Sequence, residues 1–403
     1  MLKGKTIVLA VSGSIAAYKI ANLASMLKKL NANVQVIMTE NATNFINPIT
    51  FETLTGRKCL VDTFDRNFQY NVEHIAVAKK ADVVLVAPAS ANVIGKLANG
   101  IADDMLTTTV MACTCRIIIA PAMNTNMFLN PIVKDNIKKL KQFGMEVIDP
   151  ASGHLACGDY GMGKMPDEEI LLQYILYETA FLKDLTGRKV LVTAGATRER
   201  IDPVRFITNY STGKMGFALA RGCMLRGAEV TLIKGKTEAA EPMFVKVLAV
   251  NDAAGMFTAV KECYEQQDII IKAAAVSDYT PVEYFDHKIK KSEKDLSIEL
   301  KRTMDILAFL GEHKRKDQFL CGFSMETQNV IENSKEKFEK KKLDMIVSNN
   351  VKEEGAGFGV DTNIVTVITK DRVEKLPIMN KDEVAKAIID RIALSSQYVL
   401  DQL

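Results

Sequence analysis

The chain begins twice. Gly4-Lys-Thr-Ile-Val-Leu-Ala-Val-Ser-Gly-Ser14 and Gly187-Arg-Lys-Val-Leu-Val-Thr-Ala-Gly-Ala-Thr197 are segments of one kind: an apolar run of strand length, then small residues, then a helix-like stretch. That is the opening of a doubly wound α/β domain, in which a ligand sits beyond the strand ends. Two openings in 403 residues predict two such domains, and the length is too great for one hydrophobic core. The polar stretch 177–186 reads as the linker, so the expected domains are residues 1–180 and 186–403.

In the first half, unbroken apolar runs at 6–11, 34–38, 83–87, 117–120 and 146–148 alternate with helical patterns such as 16–30. Short unbroken runs suit parallel strands buried on both faces. They end in Ser12-Gly13-Ser14, Thr39, Pro88-Ala-Ser90 and Pro121-Ala-Met-Asn124, which are expected to meet at one edge of the sheet. The second half repeats the scheme at 190–193, 230–233, 269–272, 319–323 and 345–347. Residues 364–369 and 372–377 read as an antiparallel pair, 381–394 as a final helix, and lysine-rich 335–342 as an exposed helix face.

A formal net charge of +3 demands neither nucleic acid nor a membrane surface as partner. No apolar run approaches the ~20 residues of a transmembrane helix. The opening Met-Leu-Lys-Gly-Lys leads straight into a strand, so no signal peptide is expected. Seven cysteines without regular spacing argue for free thiols in a reducing cytoplasm. The spacing of Cys113-Thr-Cys115 is wrong for zinc.

Ser12-Gly13-Ser14-Ile15-Ala16 joins a strand to a helix, where backbone N–H groups can meet a phosphate. It lacks the G-x-G-x-x-G fingerprint, so one nucleotide, such as a flavin mononucleotide, fits better than two linked ones. Thr39 and Ser90 would add hydroxyls at neighbouring strand ends. His74, one of four histidines, reads on its own as a half-buried histidine on a helix; Asn124 reads either as a functional side chain or as a helix cap. The peptide from Ser152 to Gly163 sets Cys157 among glycines, as a plain loop or as a catalytic thiol beside a bound molecule. In the second half, Thr193-Ala-Gly-Ala-Thr197 again lacks the dinucleotide glycines. The stretch 202–216 reads as a loop plus cap. Asp278 follows a strand, where Mg²⁺ could bridge phosphates, and His287-Lys-Ile-Lys-Lys291 is either a solvated run or a cationic contact.

Together, Ser12–Ala16, Pro88-Ala-Ser-Ala-Asn92, Pro121-Ala-Met-Asn-Thr-Asn-Met127, His74 and the Cys157 segment resemble the flavin-dependent cysteine decarboxylases. Over almost its whole length the chain resembles the bacterial bifunctional phosphopantothenoylcysteine synthetase/decarboxylase family of coenzyme A biosynthesis. The resemblance implies a flavodoxin-like N-terminal domain that binds FMN and a Rossmann-like C-terminal ligase domain. In that family FMN oxidises the CH₂–SH group of 4′-phosphopantothenoylcysteine to a thioaldehyde, CO₂ leaves to give an ene-thiolate, and the electrons return with a proton. It implies His74 as base, Asn124 as holder of the substrate carboxylate and Cys157 as proton donor in the reductive half. The ligase half activates 4′-phosphopantothenate with CTP as an acyl-cytidylate, which cysteine then attacks. Asn209 matches the asparagine that contacts the acyl-cytidylate, and Lys288 the first lysine of a Lys-x-Lys-Lys motif. Ala273, Ala274, Asp278, Asp305, Ile306, Phe323, Lys337 and Lys341 match nucleotide-contacting positions, with Asp278 the implied Mg²⁺ contact. Ser277 departs from a usual alanine, and Met304 from a proline that often precedes the aspartate. Trimers of the first domain and dimers of the second imply a dodecamer. A flavin-binding protein without catalysis would not need His74, Asn124, Cys157, Asn209 and Lys288 together. Flavin prenyltransferase-like or lantibiotic-type enzymes would not carry the second half.

Overall fold

The apolar runs become strands enclosed along their length. In this computed structural model the described residues are 1–64, 72–154, 158, 160–291, 295–326, 328–350 and 360–401. They form two compact units, Met1–Leu182 and Lys183–Leu403.

The first unit runs β1 (Thr6–Val11), α1 (Ala17–Lys29), β2 (Asn33–Met38), α2 (Pro48–Thr55), α3 (Glu73–Lys80), β3 (Val83–Ala89), α4 (Ala91–Ala98), α5 (Met105–Ala112) and β4 (Arg116–Pro121). It continues with α6 (Thr125–Leu129), α7 (Pro131–Gln142), β5 (Glu146–Val147), β6 (Ala151–His154), β7 (Tyr160–Lys164) and α8 (Glu168–Thr179). Strands β2-β1-β3-β4-β5 form one parallel sheet in that spatial order, the flavodoxin-like arrangement. Ile7 to Val11 and Val83 to Val86 have no exposed surface. On one face they pack with Val93 and Leu97 of α4, Leu106 and Val110 of α5 and Leu140 of α7.

Beyond the sheet, β6 and β7 pair antiparallel. Met123 N donates to Gly163 O at 3.0 Å, which lays β7 on the turn after β4. Gly163 has φ +131°, and a Cβ there would stand 2.2 Å from Met123 O, so the contact requires glycine. The expected linker starts too early. Helix α8 runs through Thr179 because Leu171, Ile175 and Leu176 are buried and the Thr179 hydroxyl donates to Ile175 O at 2.6 Å.

The second unit runs β8 (Lys189–Ala194), β9 (Arg198–Arg200), β10 (Phe206–Thr208), α9 (Lys214–Leu225), β11 (Glu229–Lys234), β12 (Lys246–Ala249), α10 (Ala253–Cys263), β13 (Ile269–Lys272), β14 (Tyr279–Pro281) and β15 (Leu300–Arg302). Then follow α11 (Ile306–His313), β16 (Phe319–Glu326), α12 (Val330–Lys340), β17 (Met345–Asn350), β18 (Thr362–Asn363), β19 (Val365–Ile368), β20 (Val373–Lys375), β21 (Met379–Asn380) and α13 (Lys381–Asp401). The sheet order is β12-β11-β8-β13-β16-β17-β19-β20. Its first six strands are parallel, in the doubly wound order of a dinucleotide-binding fold, and β19 and β20 extend it antiparallel. The sequence reading omits β12 and the short pairs β9–β10 and β14–β15. Strands of three or four residues, mostly exposed, show no hydrophobic period. The final helix is longer than expected, reaching Asp401.

Helix α9 lies close on β8 because Gly216 has no side chain: a Cβ there would come within 2.5 Å of the Ala194 Cβ. Gly216→Val should force the helix away, at about 1–3 kcal/mol or more. A calorimetric scan should show a transition lowered by roughly 3–10 °C. An unchanged trace would show that α9 moves aside without cost.

Candidate active sites

In the first unit the carboxyl edge is built by hydroxyls and helix ends. Ser12 is fully buried; its hydroxyl donates to Pro88 O at 2.6 Å and accepts from Ser90 N at 3.0 Å. This ties the end of β1 to the end of β3, where the strand order reverses and a crevice opens. Gly13 lets the turn after β2 close in, since a Cβ there would be 2.9 Å from the Asn41 Cβ. Ser14 Oγ accepts from Ala16 N at 3.3 Å.

Thr39 caps the short 3₁₀ turn Glu40–Asn44, Ser90 caps α4 and Asn124 caps α6, accepting from Ala42 N (3.3 Å), Val93 N (3.4 Å) and Asn126 N (2.8 Å). Their side chains therefore serve the fold as well as facing the edge. The helix N-termini bring N–H groups and positive dipole ends to one place, which suits a phosphate-bearing ligand. Beside Asn124 the Thr125 hydroxyl oxygen is buried with no hydrogen-bond partner among the described residues. Half-buried His74 is the second residue of α3, which leads into β3, so its turn lies toward the carboxyl edge. Cys157 lies outside the described residues; of the strands flanking it, β7 rests against the Asn124 turn and β6 pairs with β7.

In the second unit two cavities, of about 480 and 560 Å³, open at the β8/β13 reversal. Lys272, Val276, Asp278, Phe323 and Lys337 line both. Asn209, Ala273 and Ala274 belong to the first, along with the N-terminus of α9 from Gly213. Asp305, Ile306 and Lys341 belong to the second. Threonine hydroxyls hold this wall in place: Thr193 Oγ1 accepts from Ala274 N at 3.1 Å and Thr197 Oγ1 from Ser277 N at 3.0 Å. The Ser277 hydroxyl accepts from Thr197 Oγ1 at 3.3 Å, so the departure at 277 is absorbed inside the protein. Asn209 Nδ2 donates to Ala275 O at 3.1 Å.

Lysines dominate the charge. Lys214, Lys272, Lys337 and Lys381 line the first cavity, with Asp278 the one carboxylate beside them among the described lining residues. In the second, Lys341 pairs with Asp305 at 2.8 Å. Burial works against ionisation of Asp305, but the Lys341 and Ala308 N–H hydrogen bonds outweigh it and lower its pKa. Lys337 pairs with Glu326 at 2.5 Å. The 335–342 stretch is therefore not a wholly solvated face: Ser334 and Phe338 are buried beneath it, and Lys337 and Lys341 turn to the cavities.

Lys288 is exposed and lines neither cavity. Its neighbour Ile289 is anchored instead. Ile289 N donates to Asp202 Oδ2 at 3.2 Å, and Arg205 donates to Ile289 O at 3.0 Å. Buried Asp202 also accepts from Val204 N, Arg205 N and Arg205 Nε at 2.8, 2.8 and 2.9 Å. The Arg205 hydrogen bond, against the opposing effect of burial, holds its carboxyl well below the usual range. Sequence reasoning missed Lys214, Lys272 and Lys381. For Lys272 a signal exists, since a lysine closes the otherwise apolar strand Ile269-Ile-Ile-Lys272.

Residues 1–179 match the family described as Flavoprotein, and residues 185–395 the family described as DNA/pantothenate metabolism flavoprotein C-terminal domain. The chain is 49% identical over 403 residues to the Coenzyme A biosynthesis bifunctional protein CoaBC of Bacillus subtilis (strain 168), covering 98% of each chain. It is 42% identical to the protein of that name from Borreliella burgdorferi, covering 96% of this chain and 99% of the other. It is also 43% identical over 353 residues to a Cysteine/Cysteine sulfinic acid decarboxylase from an unknown prokaryotic organism, covering 86% of this chain and 98% of that one. No helix among the described residues is long and apolar enough to cross a membrane.

Asp202→Asn should loosen the segment that carries Lys288, because an amide NH₂ would face the Arg205 and Ile289 donors. Hydrogen exchange at Ile289 and its neighbours should quicken by about ten-fold or more at neutral pH. The carboxyl pKa is depressed in the fold, so its contribution is complete above the unfolded value of about 4 and is lost as pH falls through the folded one. The difference between mutant and wild type should therefore shrink in acid. Equal exchange at neutral pH would mean that Asp202 does not hold this segment.

Proposed function

The chain belongs to the bifunctional coenzyme A biosynthesis family, and from that premise we propose how its residues divide the work of a decarboxylase half and a ligase half. The ligase half joins 4′-phosphopantothenate to cysteine at the expense of CTP, with Mg²⁺. The decarboxylase half converts 4′-phosphopantothenoylcysteine to 4′-phosphopantetheine and CO₂ with FMN. The observation that carries this reading is the pair of joined, lysine-lined cavities at the β8/β13 reversal. A carboxylate activated by a nucleoside triphosphate brings phosphates and a carboxylate together, and that negative charge requires cations and amide donors.

In the ligase half the N-terminus of α9 and the lysines would take phosphate groups. Asn209, Ala273 and Ala274 would border the acyl-cytidylate; Asp305, Ile306, Phe323, Lys337 and Lys341 would border the nucleotide. Asp278, an exposed carboxylate facing both cavities, suits a Mg²⁺ that bridges phosphates. Lys288 is proposed to reach the acyl-phosphate from the segment anchored by Asp202.

In the decarboxylase half Gly13, Ser14, Thr39 and Ser90 would hold FMN, whose fit is supported by the capped helix ends and by the buried Thr125 hydroxyl, which has no hydrogen-bond partner among the described residues. When bound, FMN supplies a two-electron sink for the thiol-bearing carbon. His74 takes a proton from the substrate. Asn124 orients the carboxylate that leaves as CO₂. Cys157 gives a proton to carbon in the last step.

Purified protein given FMN, Mg²⁺, CTP, cysteine and 4′-phosphopantothenate should yield 4′-phosphopantetheine, CMP and pyrophosphate by mass spectrometry. A second reading is favoured by the relative named as a cysteine or cysteine sulfinic acid decarboxylase, in which the first half acts on free cysteine. Cysteamine from cysteine alone, with no phosphopantetheine, would establish that reading. Cys157→Ser should still release CO₂ but accumulate the oxidised ene-thiol, with little saturated product; a normal product profile would remove Cys157 from the reaction. His74→Asn should abolish CO₂ release with flavin still bound. Loss of the flavin too would make His74 structural.

A further inference from the structure

Lys272 closes β13 at the wall common to the two cavities. Ile269, Ile270 and Ile271 before it are buried, and the strand needs no charge to pack. The Lys272 ammonium donates to Ala274 O at 3.0 Å, which uses one of its three hydrogens. Nearby Lys337 and Lys341 are each neutralised by a carboxylate, Glu326 and Asp305. Lys272 forms no such ion pair among the described residues. The charged groups facing it are Lys341, Asp305, Asp278 and Lys337. Burial pushes its pKa down to about 8, and repulsion from Lys341 adds to this. Asp305 and Asp278 offset this in part, but neither is in ion-pair contact with it among the described residues, and an ammonium partly withdrawn from water without such a contact is unfavourable. The fold leaves that charge for a ligand to meet, at the place where two cavities join.

We propose that Lys272 is a catalytic residue of the ligase half, donating to the α-phosphate oxygens while the substrate carboxylate attacks phosphorus. This rests on the CTP-dependent ligase reading above. A carboxylate oxygen forms the new bond to the α-phosphorus with its own electron pair. The bond from that phosphorus to the bridging oxygen breaks, and pyrophosphate leaves with the pair. No proton is transferred, and Lys272 remains an ammonium while it stabilises charge on the non-bridging oxygens. When the cysteine amine then attacks the acyl carbon, the carbon–oxygen bond to phosphate breaks and the nitrogen gives up one proton to water as the amide forms. CMP leaves with that pair beside the same ammonium. Lys337 and Lys341 suit this place less well, since each must first give up its carboxylate.

The test uses the full chain as wild type, Lys272→Met and Lys272→Arg. Single-turnover formation of acyl-cytidylate from CTP and 4′-phosphopantothenate is measured without cysteine. Lys272→Met keeps the stem and loses the charge; its rate should fall by about 10²–10³, the usual effect of removing a donor from a charged transition state, while KM changes by a few-fold. Lys272→Arg should recover part of that loss. In the wild type, kcat/KM for CTP should decline above about pH 8, where free Lys272 loses its proton; in Lys272→Arg it should stay level to higher pH. A wild-type rate in Lys272→Met overturns the proposal. So does raised KM with unchanged kcat, which marks uniform binding. If Lys272→Met does not fold, identical pH profiles for wild type and Lys272→Arg overturn it. A wild type that forms no acyl-cytidylate and releases no pyrophosphate overturns the ligase reading and this proposal together. A competent wild type beside an unimpaired variant overturns this proposal alone.

Discussion

A parallel strand covered by helices on both faces has nowhere along its length to hold a polar side chain in water. β1, β3, β8 and β13 are of this kind: Ile7 to Val11, Val83 to Val86, Val190 to Val192 and Ile269 to Ile271 are shut away from solvent. Their backbone groups are satisfied by neighbouring strands. Polar chemistry is therefore displaced to the turns that follow the strands. All strands of a parallel sheet point the same way, so those turns lie along one edge. The location of both sites follows from this packing constraint.

The two edges are furnished differently. At the first, short hydroxyl and amide side chains cap helices, and Ser12 draws the ends of β1 and β3 together. Such an edge presents N–H groups and dipole ends with little fixed charge, in keeping with a decarboxylase half that depends on an electron sink. At the second, threonines pin the wall from Ala273 to Asp278, and lysines from separate elements converge on it. That charge is in keeping with a ligase half, in which phosphate and carboxylate groups must approach one another against their repulsion.

Some residues had a legible role in the sequence because the signal was local. Ser90 and Asn124 stand just beyond apolar runs, where Ser90 reads as a hydroxyl at a strand end and Asn124 as a functional side chain or a helix cap; in the structure both cap helices. Lys337 and Lys341 were legible as neighbours one helical turn apart. Their direction was not, because it depends on Phe338 and Ser334 packing beneath them. β9, β10, β14 and β15 were invisible for another reason. They are three-residue strands whose partners lie across a loop, and nothing periodic marks them. The anchoring of the Lys288 segment likewise depends on Asp202, more than eighty residues earlier.

From the sequence alone came the two α/β halves, their parallel cores and the edge where each site lies, because hydrophobic periodicity and strand-ending residues are properties of neighbouring positions. The family resemblance added the roles expected at particular residues. Tertiary structure alone decided which of Lys272, Lys337 and Lys341 are neutralised by carboxylates and which has only a carbonyl oxygen in hydrogen-bond contact among the described residues. The three are chemically alike in the chain. They differ because Glu326 and Asp305 are folded against two of them, while the third stands half-buried at the end of β13 against a carbonyl oxygen. Charge compensation is a property of distances across the fold, which spacing along a chain does not contain.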